Sequence, residues 1–114
     1  MVMQLDNFFM PGSVAVIGAS RNSAKIGHVI LKNIVDGGYR GRVFPVNPEA
    51  NEILGYRCYK SVSSVNEEIN LAVISVPAEF VIRVVDECAK KKIKDLVIVT
   101  AGFGEVGNSK LETQ

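Results

Sequence analysis

Tryptophan is absent from the 114-residue chain, and cysteine and histidine are scarce, at two residues and one. Cys58 and Cys88 are too few for a disulfide framework, and no second pair completes a zinc site. With His28 as the sole histidine, no hydrolase or metal constellation can be assembled from the usual residue types. Neither sign of charge is in excess. The formal net charge of +1 leaves no global footprint for nucleic acid or a membrane surface. The three tyrosines are too scattered to form a stacking platform for bases. No apolar run approaches the ~20 residues of a membrane-spanning helix. The opening MVMQLDNFF lacks the basic-then-apolar layout of a signal peptide. The expected setting is therefore cytoplasmic and reducing. One further absence is local: no acidic residue lies between Asp6 and Asp36.

The length suits a single modest core, one domain over residues 1–114, without repeats or linker-like stretches. Ser13 to Ile17 is a short, β-branched apolar run that stops at Gly18, the pattern of a strand buried on both faces. From Ala24 the spacing becomes helical, with Ile26, Ile30 and Ile34 on one stripe beside Val29, Leu31 and Val35. Asn22 or Ser23 is the expected cap, and Gly37-Gly38 the stop. Arg42 to Val46 reads as a second strand. Pro45 within it cannot donate to a ladder, so it must face a gap in the pairing or break the strand. Tyr56 to Tyr59 suggests a short edge strand, and Ser61 to Glu68 a turn or two of helix. Leu71 to Val76 is a third strand. The helix after Pro77 carries Val81, Val84, Val85 and Cys88 on one face, with Glu79 early and Lys90 to Lys92 late. Asp95 to Val99 is a fourth strand. Apolar strands alternating with helices predict an α/β fold, an open parallel sheet with helices on both faces. Ligands in such folds bind beyond the carboxyl ends of the strands.

The loop from Gly18 to Gly27 carries the most chemistry. Backbone amides at a strand-to-helix turn favour phosphate. Arg21 and Lys25 lie at or near the helix start, where the dipole disfavours cations. A bound anion would turn that cost into a gain; the plainer alternative is a pair of solvated loop charges. The G-x-G-x-x-G dinucleotide fingerprint is missing, because Ser20 stands at its second glycine and no third follows at the expected spacing. After the second strand, Asn47-Pro48 stands where an NAD site wants a carboxylate, with Glu49 one step further. NAD is thus the weaker reading. His28 suits a packing or surface role. Cys88 reads as an apolar filler, Cys58 as structural, and Lys90 to Lys92 as a solvated helix end. Glu105 suits either a ligand contact or a helix N-terminal carboxylate.

Four motifs occur in order at the ends of four strands. They are Val16-Ile-Gly-Ala-Ser20 with Lys25-Ile-Gly27, Val46-Asn-Pro48, Val76-Pro-Ala-Glu-Phe80, and Thr100-Ala-Gly-Phe-Gly-Glu105. From about Phe8 to Gly107 the chain resembles the coenzyme A-binding first domain of ADP-forming acetyl-CoA (acyl-CoA) synthetases. That domain is related to the amino-terminal domain of the succinyl-CoA synthetase α subunit and occurs in some protein lysine acetyltransferases. The resemblance implies a Rossmann-like coenzyme A site. Gly18, Ala19, Ser20, Arg21, Lys25, Ile26 and Gly27 would hold the phosphates. Val46, Asn47 and Pro48 would lie by the adenine or ribose. Ser75, Val76 and Pro77, with Phe80, would flank the pantetheine arm, and Thr100, Ala101 and Gly102 would line the path to the thiol. The family's last strand, with its Gly-Pro-Asn motif, and its phosphohistidine domain have no counterpart here, and His28 does not match that histidine. The expectation is a truncated domain that binds without turnover, with Asp95 to Val99 as an apolar edge open to self-association. Its partners would be coenzyme A or acyl-CoA and the other domains or subunits of a synthetase. A non-catalytic coenzyme A or dinucleotide sensor is the alternative.

Overall fold

The structure, a computed structural model, describes residues 11–99. In chain order it comprises β1 (Ser13–Ile17), α1 (Ile26–Asp36), β2 (Arg42–Val46), β3 (Glu52–Ile53), β4 (Tyr56–Arg57), a 3₁₀ turn (Val62–Ser64), β5 (Leu71–Ile74), α2 (Ala78–Lys90) and β6 (Asp95–Ile98). Four strands form one parallel sheet in the order β2-β1-β5-β6. The chain winds outward from β1 first to one side and then to the other. That reversal opens a crevice at the carboxyl ends of the central strands.

The alternation of side chains along each strand sorts the core into two layers. Val14, Val16, Val43, Leu71 and Val73 face α1, where Leu31 is fully buried and Ile30, Ile34 and Val35 pack partly against them. Ala15, Ile17, Phe44, Val46, Ala72 and Ile74 face α2 and meet Val84 and Cys88. Helices therefore cover both faces, as the unbroken apolar strands require. The fold is Rossmann-like.

Pro45 is buried within an intact β2, opposite Val16 of β1. The Arg42 amide bonds Gly12 on the β1 side, whereas the Asn47 amide bonds Tyr59 on the outer side. By alternation the nitrogen of Pro45 faces outward, so no bond to β1 is lost. On that outer edge the Pro45 carbonyl accepts the Tyr59 amide, and Tyr59 bridges Val46.

Several boundaries differ from expectation. Neither Asn22 nor Ser23 caps α1. The helix begins two residues later than expected, with Lys25 at its N-cap and no side-chain cap. Asn22 is engaged earlier, its Oδ1 accepting the Ala24 amide and its carbonyl the Lys25 amide. Val29 is exposed rather than part of the buried stripe. The expected Tyr56 to Tyr59 strand is two pieces. Tyr56–Arg57 pairs antiparallel with Glu52–Ile53 through a two-residue turn, and Tyr59 joins β2 instead. Ser61 to Glu68 yields only the 3₁₀ turn, and β5 ends at Ile74 rather than Val76. Thr100, Ala101, Gly102 and Glu105 lie outside the described residues.

Candidate functional site

Ile17, Val46 and Ser75 stand at the carboxyl ends of three neighbouring strands, and a cleft of 670 Å³ opens above them. Gly18 makes the first wall possible. Its φ of +98° suits glycine, and a Cβ there would meet the Ser75 carbonyl oxygen at 2.0 Å. The chain therefore turns tightly off β1 while touching the backbone that leaves β5. Gly27 completes the wall from behind, since a Cβ there would lie 1.9 Å from the Gly18 carbonyl oxygen. That close approach lets the start of α1 lie directly on the loop.

Of the seven loop residues expected to hold phosphate, Gly18, Ala19, Ser20 and Lys25 line the cleft, whereas Arg21, Ile26 and Gly27 do not. Arg21 is exposed, and Gly27 is buried as packing. The loop is also more self-satisfied than its sequence implies. The Gly18 amide donates to the Val46 carbonyl, the Asn22 amide to Ser20 Oγ, and the Ala24 amide to Asn22 Oδ1. Those N–H groups are spent on building the turn. Within the described residues no partner is found for the amides of Ala19, Ser20, Ile26 and Gly27. No acidic residue occupies the first turn of α1, and neither Arg21 nor Lys25 forms an ion pair among the described residues.

The remaining walls come from the β2 and β5 turns. Val46, Asn47 and Pro48 line one side, and Ser75, Val76, Pro77 and Phe80 the other. Asn47 is held firmly, with Nδ2 donating to the Ala19 carbonyl and Oδ1 accepting the Glu49 amide. Pro77 is the N-cap of α2, and its carbonyl accepts the Phe80 amide.

Four polar cleft residues had no site role in the sequence reading: Lys60, Ser61, Arg83 and Glu87. Arg83 and Glu87 follow Phe80 at helical spacing, so the α2 stripe Phe80, Arg83, Val84, Glu87 was there to be read once the helix start was placed at the crevice. The Arg83 guanidinium stacks over the Phe80 ring at 5.0 Å. Lys60 came from an irregular segment without a periodic signal, and its Nζ reaches Ala50 O and Asn51 Oδ1. Three cations (Lys25, Lys60, Arg83) against two carboxylates (Glu49, Glu87) leave the cleft positive, suiting an anionic ligand with apolar parts.

The cysteines take no part. Burial raises the Cys58 thiol despite the Asn47 backbone and Lys60. Burial, with Glu87 adding to it, pushes Cys88 up to about 11. Both stay protonated at neutral pH.

Comparison with known proteins gives this geometry a context. Residues 12–112 match the family described as a CoA binding domain. The chain is 51% identical over 104 residues to an ADP-forming acetate–CoA ligase of Methanocaldococcus jannaschii, covering 91% of this chain and 14% of that protein. It is 45% identical over 118 residues to the α subunit of ADP-forming acetate–CoA ligase I of Pyrococcus furiosus, covering 98% and 26%. Among solved structures, a dinucleotide-forming acetyl-coenzyme A synthetase 1 of Ca. Korarchaeum cryptofilum, in complex with phosphate and ADP, superposes with a TM-score of 0.82. It shares 46% identity over 96% of this chain and 24% of that one. The chain thus spans about a seventh to a quarter of the length of these relatives. That match along nearly the whole length, over a fold with its cleft at the topological switch point, makes the chain a member of the CoA-binding domain family.

Proposed function

We propose that the cleft binds coenzyme A as one domain of an NDP-forming acyl-CoA synthetase, which interconverts acyl-CoA, ADP and phosphate with carboxylate, ATP and coenzyme A. The observation that carries this reading is the positive, acid-free start of α1, set beside the amides of Ala19 and Ser20, which find no partner among the described residues, in a cleft with apolar walls. Phosphates sit on the Gly18–Lys25 turn, the adenine or ribose lies by Val46, Asn47 and Pro48, and the pantetheine arm runs past Ser75, Val76, Pro77 and Phe80. The domain supplies no catalytic group. It sets the coenzyme A thiol against an acyl group delivered elsewhere in the enzyme, which is catalysis by positioning. Among the described residues no helix is long and apolar enough to cross a membrane. The outer edge of β6, where Ile98 is 45% exposed, is the place for a further strand from the same enzyme or from a second copy.

Of the two loop cations, the one lining the cleft has the larger role. Replacing Lys25 with alanine weakens coenzyme A binding about tenfold or more and flattens its salt dependence, whereas Arg21→Ala changes affinity about threefold or less. Calorimetric titrations at two ionic strengths check this; equal effects of the two substitutions would count against the assigned phosphate seat. The dinucleotide alternative gains nothing from the geometry, because the side chain at the ribose position, Asn47, is committed to the loop and the next turn.

A further inference from the structure

Two side chains from different elements each hold a carbonyl of the phosphate loop, and the carbonyls are consecutive. Asn47, just after β2, donates Nδ2 to the Ala19 carbonyl at 2.8 Å. His28, in the first turn of α1, meets the Ser20 carbonyl through Nδ1 at 2.8 Å. A carbonyl oxygen only accepts, so Nδ1 must carry the proton, and in the neutral ring Nε2 is left bare. The peptide group is planar with its C=O and N–H opposed. Fixing the Ala19 carbonyl therefore fixes the direction of the Ser20 N–H, and fixing the Ser20 carbonyl fixes that of Arg21. Neither amide is turned by a hydrogen bond of its own within the described residues.

Resting on the coenzyme A reading above, we propose that His28 and Asn47 are positioning residues, paired struts that fix the peptides on either side of Ser20, a residue that lines the cleft, and so set its amide for the ligand phosphates before binding. Asn47 then acts on the ligand through the loop rather than as a direct adenine or ribose contact. His28 contributes although it does not line the cleft. The neighbouring structure makes such struts necessary. Ala19 and Ser20 lie in neither strand nor helix, and although the Ala19 side chain is buried in the core, no regular ladder orients the peptides that follow it. Without the struts those peptides lose the hydrogen bonds that fix their direction, and aligning them would be a cost of binding.

The test uses His28→Phe, which keeps a ring of similar size without the N–H, and His28→Asn. Asparagine places a donor nitrogen on Cγ, at the same branch position as histidine Nδ1. Coenzyme A titrated into His28→Phe should bind about tenfold more weakly, and His28→Asn should recover to within about threefold of the parent protein. Asn47→Ala should weaken binding by a similar factor. In free protein, the ¹⁵N–¹H resonances of Ser20 and Arg21 should shift in His28→Phe and return in His28→Asn, a readout that needs no ligand. The proposal is overturned if His28→Phe binds like the parent, or if His28→Asn stays as weak as His28→Phe. If the parent protein itself does not bind coenzyme A, the functional reading falls, while the amide resonances still decide the struts.

Discussion

Gly27 shows how a residue that looks like part of a ligand loop can serve packing instead. It is buried and does not line the cleft, and the Gly18 carbonyl oxygen fills the place its Cβ would need. Both sides of that contact are backbone, so nothing flexible can yield. Gly27→Ala should therefore lower stability by about 3 kcal/mol, at the upper end of overpacking costs. Urea denaturation followed by circular dichroism measures it, and an unchanged midpoint would show that α1 can lift off the loop freely. A second residue-level prediction concerns Cys88. Its thiol is held protonated up to about 11 in the folded chain, against an ordinary value of 9.0. Between those values the unfolded chain releases the proton and the folded chain keeps it, so this contribution falls as pH rises from about 9 to 11. The urea midpoint of the parent protein should drop more steeply over that window than that of Cys88→Ala.

Among the elements, the four long strands and both helices were legible because each carries its own periodicity over four or more residues. β1 and β2 fall where their apolar runs predict, and the α2 face of Val84 and Cys88 is the one its spacing marks. The segment from Glu49 to Asn70 was not legible, for a physical reason. Its elements are two or three residues long, shorter than a period that could announce them. The β3–β4 hairpin depends on its turn, where Leu54 and Gly55 have φ of +52° and +82°. Two positive φ values make a turn that favours Asn-Gly, and leucine disguises it. Leu54 is also exposed, so its side chain adds little packing. Leu54→Asn should stabilise the protein by about 0.5–1 kcal/mol, since asparagine tolerates this conformation better. Differential scanning calorimetry reads the gain as a higher melting temperature; a lower one would mean the leucine side chain contributes packing that its exposure hides. The helix start misled for a related reason. Asn22 and Ser23 have the chemistry of caps, but Asn22 closes a tighter turn two residues earlier and leaves Lys25 at the cap.

At the scale of the whole molecule, a net charge of +1 conceals a local asymmetry. Residues 7–35 contain no carboxylate, and the fold brings Lys25 of that stretch to the crevice that Lys60 and Arg83 also line. The doubly covered sheet makes this placement rigid, because each face of β1 and β5 is locked into its own core layer. The sequence showed which strand ends would meet. It did not show which amides the loop would spend on itself, because hydrogen bonds such as Asn22 to Ser20 Oγ depend on a backbone path that periodicity does not encode. An anionic coenzyme seated at this crevice is the central expectation, and one calorimetric comparison tests it. Coenzyme A and NADH are titrated separately into the protein at low salt. Saturable binding of coenzyme A, at least about tenfold tighter than any binding of NADH, is the expected result. Equal or tighter binding of NADH, or no heat with coenzyme A, would contradict it.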